Sequence, residues 1–133
     1  MRISKRAQKF LKLRASVRLA GQCGSETLGW LPVSGTGGQS DFVRAANRSE
    51  GGKAFIVLPS TARDSSLSRI VPTLTPGAHV STSKNDINYV VTEFGVAQLR
   101  GKTARQRAEA LIGIAHPDFR GELREQARQM NLL

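Results

Sequence analysis

The run Lys53-Ala54-Phe55-Ile56-Val57-Leu58, closed by Pro59, limits the fold more than any other stretch of the chain. It is short, continuous and apolar. Such a run reads as a strand buried on both faces, and that requires covering layers on either side. Ile87-Asn88-Tyr89-Val90-Val91-Thr92 reads as a second strand, rich in β-branched residues. Arg69-Ile70-Val71-Pro72-Thr73-Leu74 reads as a third, pushed to a sheet edge by Pro72. Residues 15–20 and 78–82 read as shorter strands. A helix is expected over 103–115, with a capping box from Thr103 and Gln106 and an apolar face of Ala104, Ala108, Leu111, Ile112 and Ala115. Pro117 marks its end, and another helix is expected over 121–131. Strands and helices interspersed in this way predict an α/β domain.

Gly35-Thr36-Gly37-Gly38-Gln39-Ser40-Asp41-Phe42 places three glycines within four residues, ahead of a helix expected from Asp41 to Arg48. Glycines let the backbone take positive φ and let a ligand approach closely. A loop of this kind at a helix start can aim free N–H groups at an anion or a developing oxyanion. Taken alone, such glycines more often only reverse the chain.

The chain has 133 residues and a net charge of +10. That length suits one domain with a real core. No apolar run approaches the ~20 residues of a membrane span. The single Cys23 excludes an internal disulfide and a multi-cysteine zinc site, and points to a reducing, cytoplasmic setting. The charge is uneven. Seven of the 20 basic residues lie in the first 18 positions, leaving 13 basic against 10 acidic residues elsewhere. Residues 1–14 therefore read as a basic N-terminal arm, with scattered apolar residues in the manner of a frayed helix, and 15–133 as the domain. Basicity confined to one end argues against nucleic acid as the domain's partner.

Few side chains carry obvious chemistry. Glu93, at the end of the 87–92 strand, is the best carboxylate candidate, since open α/β sheets place sites at strand ends. The plainer role for it is to pair with Arg100, Lys102 or a backbone N–H. His116 precedes Pro117 and reads as a helix-end cap. His79 has no evident partner, nothing near Cys23 is arranged to lower its pKa, and Ser83-Lys84-Asn85-Asp86 reads as a turn or cap cluster.

Several blocks taken together say more. Ser34-Gly35-Thr36-Gly37-Gly38-Gln39-Ser40-Asp41-Phe42-Val43-Arg44 resembles the glycine loop of the acetyl-CoA hydrolase/transferase family. Gly51-Gly52-Lys53 with the following strand and Pro59-Ser60-Thr61 is similar to its next block. Ile70-Val71-Pro72, Thr82-Ser83-Lys84-Asn85-Asp86 and Tyr89-Val90-Val91-Thr92-Glu93-Phe94-Gly95-Val96-Ala97 continue in the family's order. Leu99-Arg100-Gly101-Lys102-Thr103, Arg105-Gln106-Arg107-Ala108 and Ala115-His116-Pro117-Asp118-Phe119-Arg120 complete it. The resemblance runs from about residue 21 to 123, and its closest look is to the 4-hydroxybutyrate and butyrate CoA-transferase branch. It implies a partial C-terminal domain of the NagB/RpiA/CoA-transferase-like α/β fold, with a mixed or parallel sheet and flanking helices.

The resemblance also implies a chemistry. In the family a glutamate attacks an acyl-CoA thioester to give an acyl-glutamyl anhydride, then a glutamyl-CoA thioester, which a carboxylate or water resolves. Gly38 matches the oxyanion-hole glycine and Gly37 its neighbour, while Ser34 and Gln39 join them in contacting CoA or substrate. Coenzyme A is then a substrate, with no further cofactor and no metal. Acyl-CoA and a small carboxylate are the partners, and no membrane is involved. The family's nucleophilic glutamate lies before the matched region, and Glu93 matches a family glutamate that is not the nucleophile. A partner such as a separate N-terminal half would carry it, and a homo-oligomer is the other assembly the resemblance allows. A truncated gene, a displaced reading frame or a split subunit would each explain such a chain. Glu50 stands where some relatives have lysine, which weakens a phosphate or CoA contact. Two functions stay open at this point: CoA-thioester chemistry shared with a glutamate-bearing partner, and a non-catalytic remnant or basic nucleic-acid-binding module.

Overall fold

The computed structural model describes residues 8–11 and 15–133. Among these, β1 (Gln8–Leu11), β2 (Ser16–Arg18), β3 (Cys23–Gly24), β4 (Thr27–Leu28) and β5 (Leu31–Pro32) lead into α1 (Gln39–Arg48). Then come β6 (Ala54–Val57), β7 (Thr61–Ala62), β8 (Leu67–Ser68), β9 (Ile70–Val71), β10 (Tyr89–Thr92) and β11 (Gly95–Gln98). Helices α2 (Ala104–Gly113) and α3 (Pro117–Gln129) close the chain.

The main sheet has the order β1-β6-β10-β11. β6 is parallel to both β1 and β10, and β11 is antiparallel to β10, so the sheet is mixed. The register sets Ile56 beside Val90 and Val90 beside Ala97, and all three are buried. Burying each large aliphatic side chain stabilises the fold by about 1.5–3 kcal/mol. A one-residue slip would turn this row outward, so burial fixes the register. Phe55 and Tyr89 point to the opposite face, stack with ring centres 5.1 Å apart, and are half-buried. Residues 53–58 are therefore fully buried on one face only. On the other, the two rings shield each other and stay partly exposed.

α1 packs on β6 and β1, and α2 packs on β11 and α3. The capping box is present: the Gln106 N–H donates to Thr103 Oγ1 at 3.2 Å, and the Thr103 N–H donates to Gln106 Oε1 at 3.0 Å. Ala108, Leu111 and Ile112 form the helix's buried side. Buried Thr92 ties the sheet to the end of α2, its hydroxyl donating to the Ile114 carbonyl at 2.6 Å. α3 starts at Pro117, not near Gly121 as the sequence suggested. Proline suits the first helical position, where its missing N–H costs nothing, and His116 caps the helix by accepting the Asp118 N–H.

A second sheet has the order β3-β2-β9. β9 stops just before Pro72 and lies at the sheet edge, where proline was expected to push it. The expected strand over 78–82 reduces to a single bridge between Thr82 and Cys23. Residues 8–11 form a strand, not a frayed helix. Their backbone pairs with β6 from Gln8 beside Ala54 to Leu11 beside Val57, and four residues are too few for sequence periodicity to choose between helix and strand. The rest of the basic 1–14 segment lies outside the described residues.

Gly52 offers a sharp test of the turn that joins α1 to β6. A Cβ there would lie 2.1 Å from the Ala46 carbonyl oxygen and 2.8 Å from Ser49 Cβ. Gly52→Ala is expected to cost about 1–3 kcal/mol, as overpacking does elsewhere. Urea denaturation measures it, and an unchanged midpoint would show that the turn opens freely.

A candidate thioester site at the start of α1

The glycine loop leaves the β4–β5 hairpin and runs straight into α1. The Glu26 carbonyl fixes its near end by accepting the N–H groups of Val33 at 2.8 Å and Ser34 at 3.1 Å. Residues 34–38 are exposed. Gly37 has φ +55°, the left-handed region where a side chain is strained. Gly38 is the N-cap of α1, with no side chain capping the helix. The first-turn N–H groups thus face outward from the positive end of the helix dipole. The Phe42 ring lies across Gly38, where an added Cβ would meet Phe42 Cε2 at 2.8 Å.

Gln39 turns the other way. Its side chain is buried. Ser25 Oγ donates to Gln39 Oε1 at 3.0 Å, and Gln39 Nε2 donates to Thr82 Oγ1 at 2.8 Å and lies 3.8 Å from Cys23 Sγ. A buried amide satisfied at both ends holds the start of α1 rigidly. Ser40 Oγ donates to the Ser81 carbonyl. Arg44 Nε pairs with Asp86 Oδ2 at 3.1 Å, and Asn47 Nδ2 donates to the Asp86 carbonyl. Residues 39–47 are thereby laced to 81–86, so two separated sequence blocks become one platform. The sequence gives no sign of Ser25 or Ser81 in this role, while Thr82 stands at the head of the Thr82–Asp86 block.

Glu93 has partners elsewhere. Ser60 donates to it twice, from its N–H at 2.9 Å and from its hydroxyl at 2.6 Å. Its partner is therefore a backbone N–H with a hydroxyl, and not Arg100 or Lys102. Partial burial pushes the Glu93 carboxyl up, but the Ser60 hydroxyl, the Glu93 and Ser60 amides and the field of His116 together hold it below its ordinary value. His116 packs edge-on against Phe94 with centres 5.3 Å apart. A lowered carboxylate pKa adds stability above the unfolded-state value, and that contribution is lost as pH falls through the folded value. Glu93→Gln is expected to flatten the rise of melting temperature between about pH 3 and 6. Equal slopes in the two proteins would show that Ser60 does not favour the ionised form.

Cys23 is buried. His79 is exposed, and its backbone N–H donates to Thr27 Oγ1 at 2.9 Å. Among the described residues no three His, Cys, Asp or Glu side chains gather as metal ligands, and no helix is long and apolar enough to cross a membrane. A groove of about 340 Å³ lies between the 66–72 segment and α3 and shares no residue with the glycine loop.

The acetyl-CoA hydrolase/transferase C-terminal domain matches residues 2–127. The chain belongs to that family. It is 69% identical over 115 residues to a succinyl-CoA:cyclohexane-1-carboxylate CoA transferase of Geobacter metallireducens, covering 86% of this chain and 26% of that protein. It is 59% identical over 107 residues to a 4-hydroxybutyrate coenzyme A transferase of Clostridium kluyveri, covering 80% and 25%. The solved structure of RipA from Yersinia pestis superposes with a TM-score of 0.86 at 41% identity, over 96% of this chain and 28% of RipA. The chain thus spans about a quarter of the length of these relatives. The family match begins within the basic segment, which includes β1.

Proposed function

We propose that this domain provides the oxyanion-binding part of a CoA-transferase or acyl-CoA hydrolase. The observation that carries the reading is the uncapped α1 N-terminus at exposed Gly38, held rigid from below by Gln39. A thioester carbonyl seated there meets backbone donors at the positive end of a helix. A glutamate from outside these 133 residues attacks that carbonyl. The Gly38 N–H, with Gly37 shaping the approach, stabilises the tetrahedral oxyanion. The CoA thiolate leaves and an acyl-glutamyl anhydride forms. The thiolate then attacks the glutamyl carbonyl, expelling the acyl group as a free carboxylate and leaving glutamyl-CoA. An acceptor carboxylate reverses the sequence, or water hydrolyses the thioester.

Ser34 borders the path of CoA along the loop, and the Gln39 side chain positions the loop while its N–H faces the site. CoA enters as substrate, with no further cofactor. The glutamate comes from the part of such an enzyme that lies outside these residues. A reducing, cytoplasmic setting accords with a single, buried cysteine, Cys23. The relative at 69% identity directs the choice of acyl groups toward succinyl donors and alicyclic carboxylate acceptors.

The test mixes this chain with a polypeptide spanning the remainder of such a relative, and assays a panel of acyl-CoA donors and carboxylate acceptors. Turnover is expected in the mixture, strongest for succinyl-CoA with cyclohexane-1-carboxylate. A stable complex that turns over none of the panel would refute the reading.

A further inference from the structure

We propose that a pocket on the flank of α1, lined by Arg44, Asn47, Arg48, Asn85, Asp86 and Arg100, is a site for a phosphate dianion. It encloses about 150 Å³, enough for one phosphate group. Arg44 and Arg48 stand one helical turn apart and share a face. Arg100 comes from the turn after β11, and Asn85 and Asp86 from the turn before β10. Three arginines and a single acidic residue thus line it.

That carboxylate is already engaged. Asp86 Oδ2 holds Arg44 through Nε at 3.1 Å, which fixes the Arg44 plane. Arg48 and Arg100 are exposed, and neither forms a salt bridge among the described residues. Residues 1–14 contain no acidic side chain, so no carboxylate from that segment neutralises them. A pocket with excess positive charge and fork-shaped donors selects an anion with several acceptor oxygens. A monocarboxylate offers less charge and fewer oxygens than phosphate.

Arg44 and Arg48 lie six and ten residues beyond Gly38, roughly 9 and 15 Å along the helix axis. The pocket is therefore distinct from the glycine loop but on the same helix. Two sources share the chemistry: free phosphate, and the phosphates of a CoA whose thioester rests at Gly38. The second source rests on the proposed function; the site itself does not.

The experiment follows backbone and arginine side-chain N–H signals of the full chain by NMR. Inorganic phosphate, CoA and pantetheine are titrated separately at constant ionic strength, against wild type and Arg48→Ala/Arg100→Ala. A second variant, Arg48→Lys/Arg100→Lys, keeps the charge but loses the forks. Phosphate is expected to shift the Arg44, Arg48, Arg100 and Asn47 signals saturably, and the alanine pair to weaken it about tenfold or more. The lysine pair should fall between. If CoA weakens in step while pantetheine does not, CoA phosphate is the source. If CoA is unaffected while phosphate weakens, the site serves free phosphate and the reading of Gly38 stands untouched. Phosphate affinity unchanged in both variants, with shifts confined to the basic N-terminal segment, would overturn the proposal.

Discussion

Gly38→Ala, placed in an assembled enzyme, is expected to lower turnover about 10²–10³-fold, the usual cost of losing one oxyanion donor. Stability should change little. Gly38 has φ −88°, which alanine adopts without strain. The obstacle is the Phe42 ring, 2.8 Å from the new Cβ. That ring is 54% exposed, and it and the new methyl group cannot both keep their places. Either shift disturbs the helix start at which the oxyanion would be held. Gly37→Ala should behave in the opposite way. Its φ of +55° penalises any side chain by about 1–2 kcal/mol, and no atom lies within 4 Å of the added Cβ. Adding Phe42→Leu to Gly38→Ala separates the two causes. Recovery of turnover would assign the loss to the clash with the ring, and no recovery would assign it to the methyl group itself, obstructing the substrate or displacing the N–H. Measured kcat and melting temperatures for the four proteins decide. A Gly38→Ala enzyme with undiminished kcat would leave the loop as a simple turn.

The isolated chain is expected to show no CoA transfer above background. Loss of a nucleophile in other covalent enzymes costs about 10⁶-fold in turnover, and a positioned oxyanion hole retains only a small residue of catalysis. The carboxylates within reach of the sheet end are poor substitutes. Both oxygens of Glu93 accept from Ser60, and Glu26 is buried beneath the loop. The assay is transfer of CoA from butyryl-CoA to isotopically labelled acetate by purified chain. Turnover that Glu93→Gln abolishes would make Glu93 the nucleophile.

Much of the framework was legible in the sequence, for reasons that can be named. Val90 and Ile56 sit in runs apolar enough to demand burial, and Thr103 with Gln106 carries its own cap. The strands that escaped notice are short. β11 is four residues with Val96 exposed and Ala97 buried, a pattern too weak to stand out. The hairpins β4–β5 and β7–β8 pair two residues from each strand, and Arg63, Asp64 and Ser65 turn the latter with positive φ that no glycine announces. The family blocks located the glycine loop, but not what supports it. Gln39 is polar and beside the loop, so it reads as a residue that faces a ligand. Its hydrogen-bonding partners Ser25 and Thr82 lie 14 and 43 positions away, a proximity that only the folded chain creates.

The central claim is that this domain cradles the thioester while the attacking glutamate comes from outside these residues. Intact-mass spectrometry of the reconstituted pair, quenched with acid during turnover of acyl-CoA, tests it most directly. A glutamyl-CoA thioester should add the mass of CoA less one water to the partner polypeptide and leave this chain unmodified. The Gly38→Ala pair should accumulate that adduct far more slowly. An adduct on this chain itself, at Glu93 or any other carboxylate, would contradict the account.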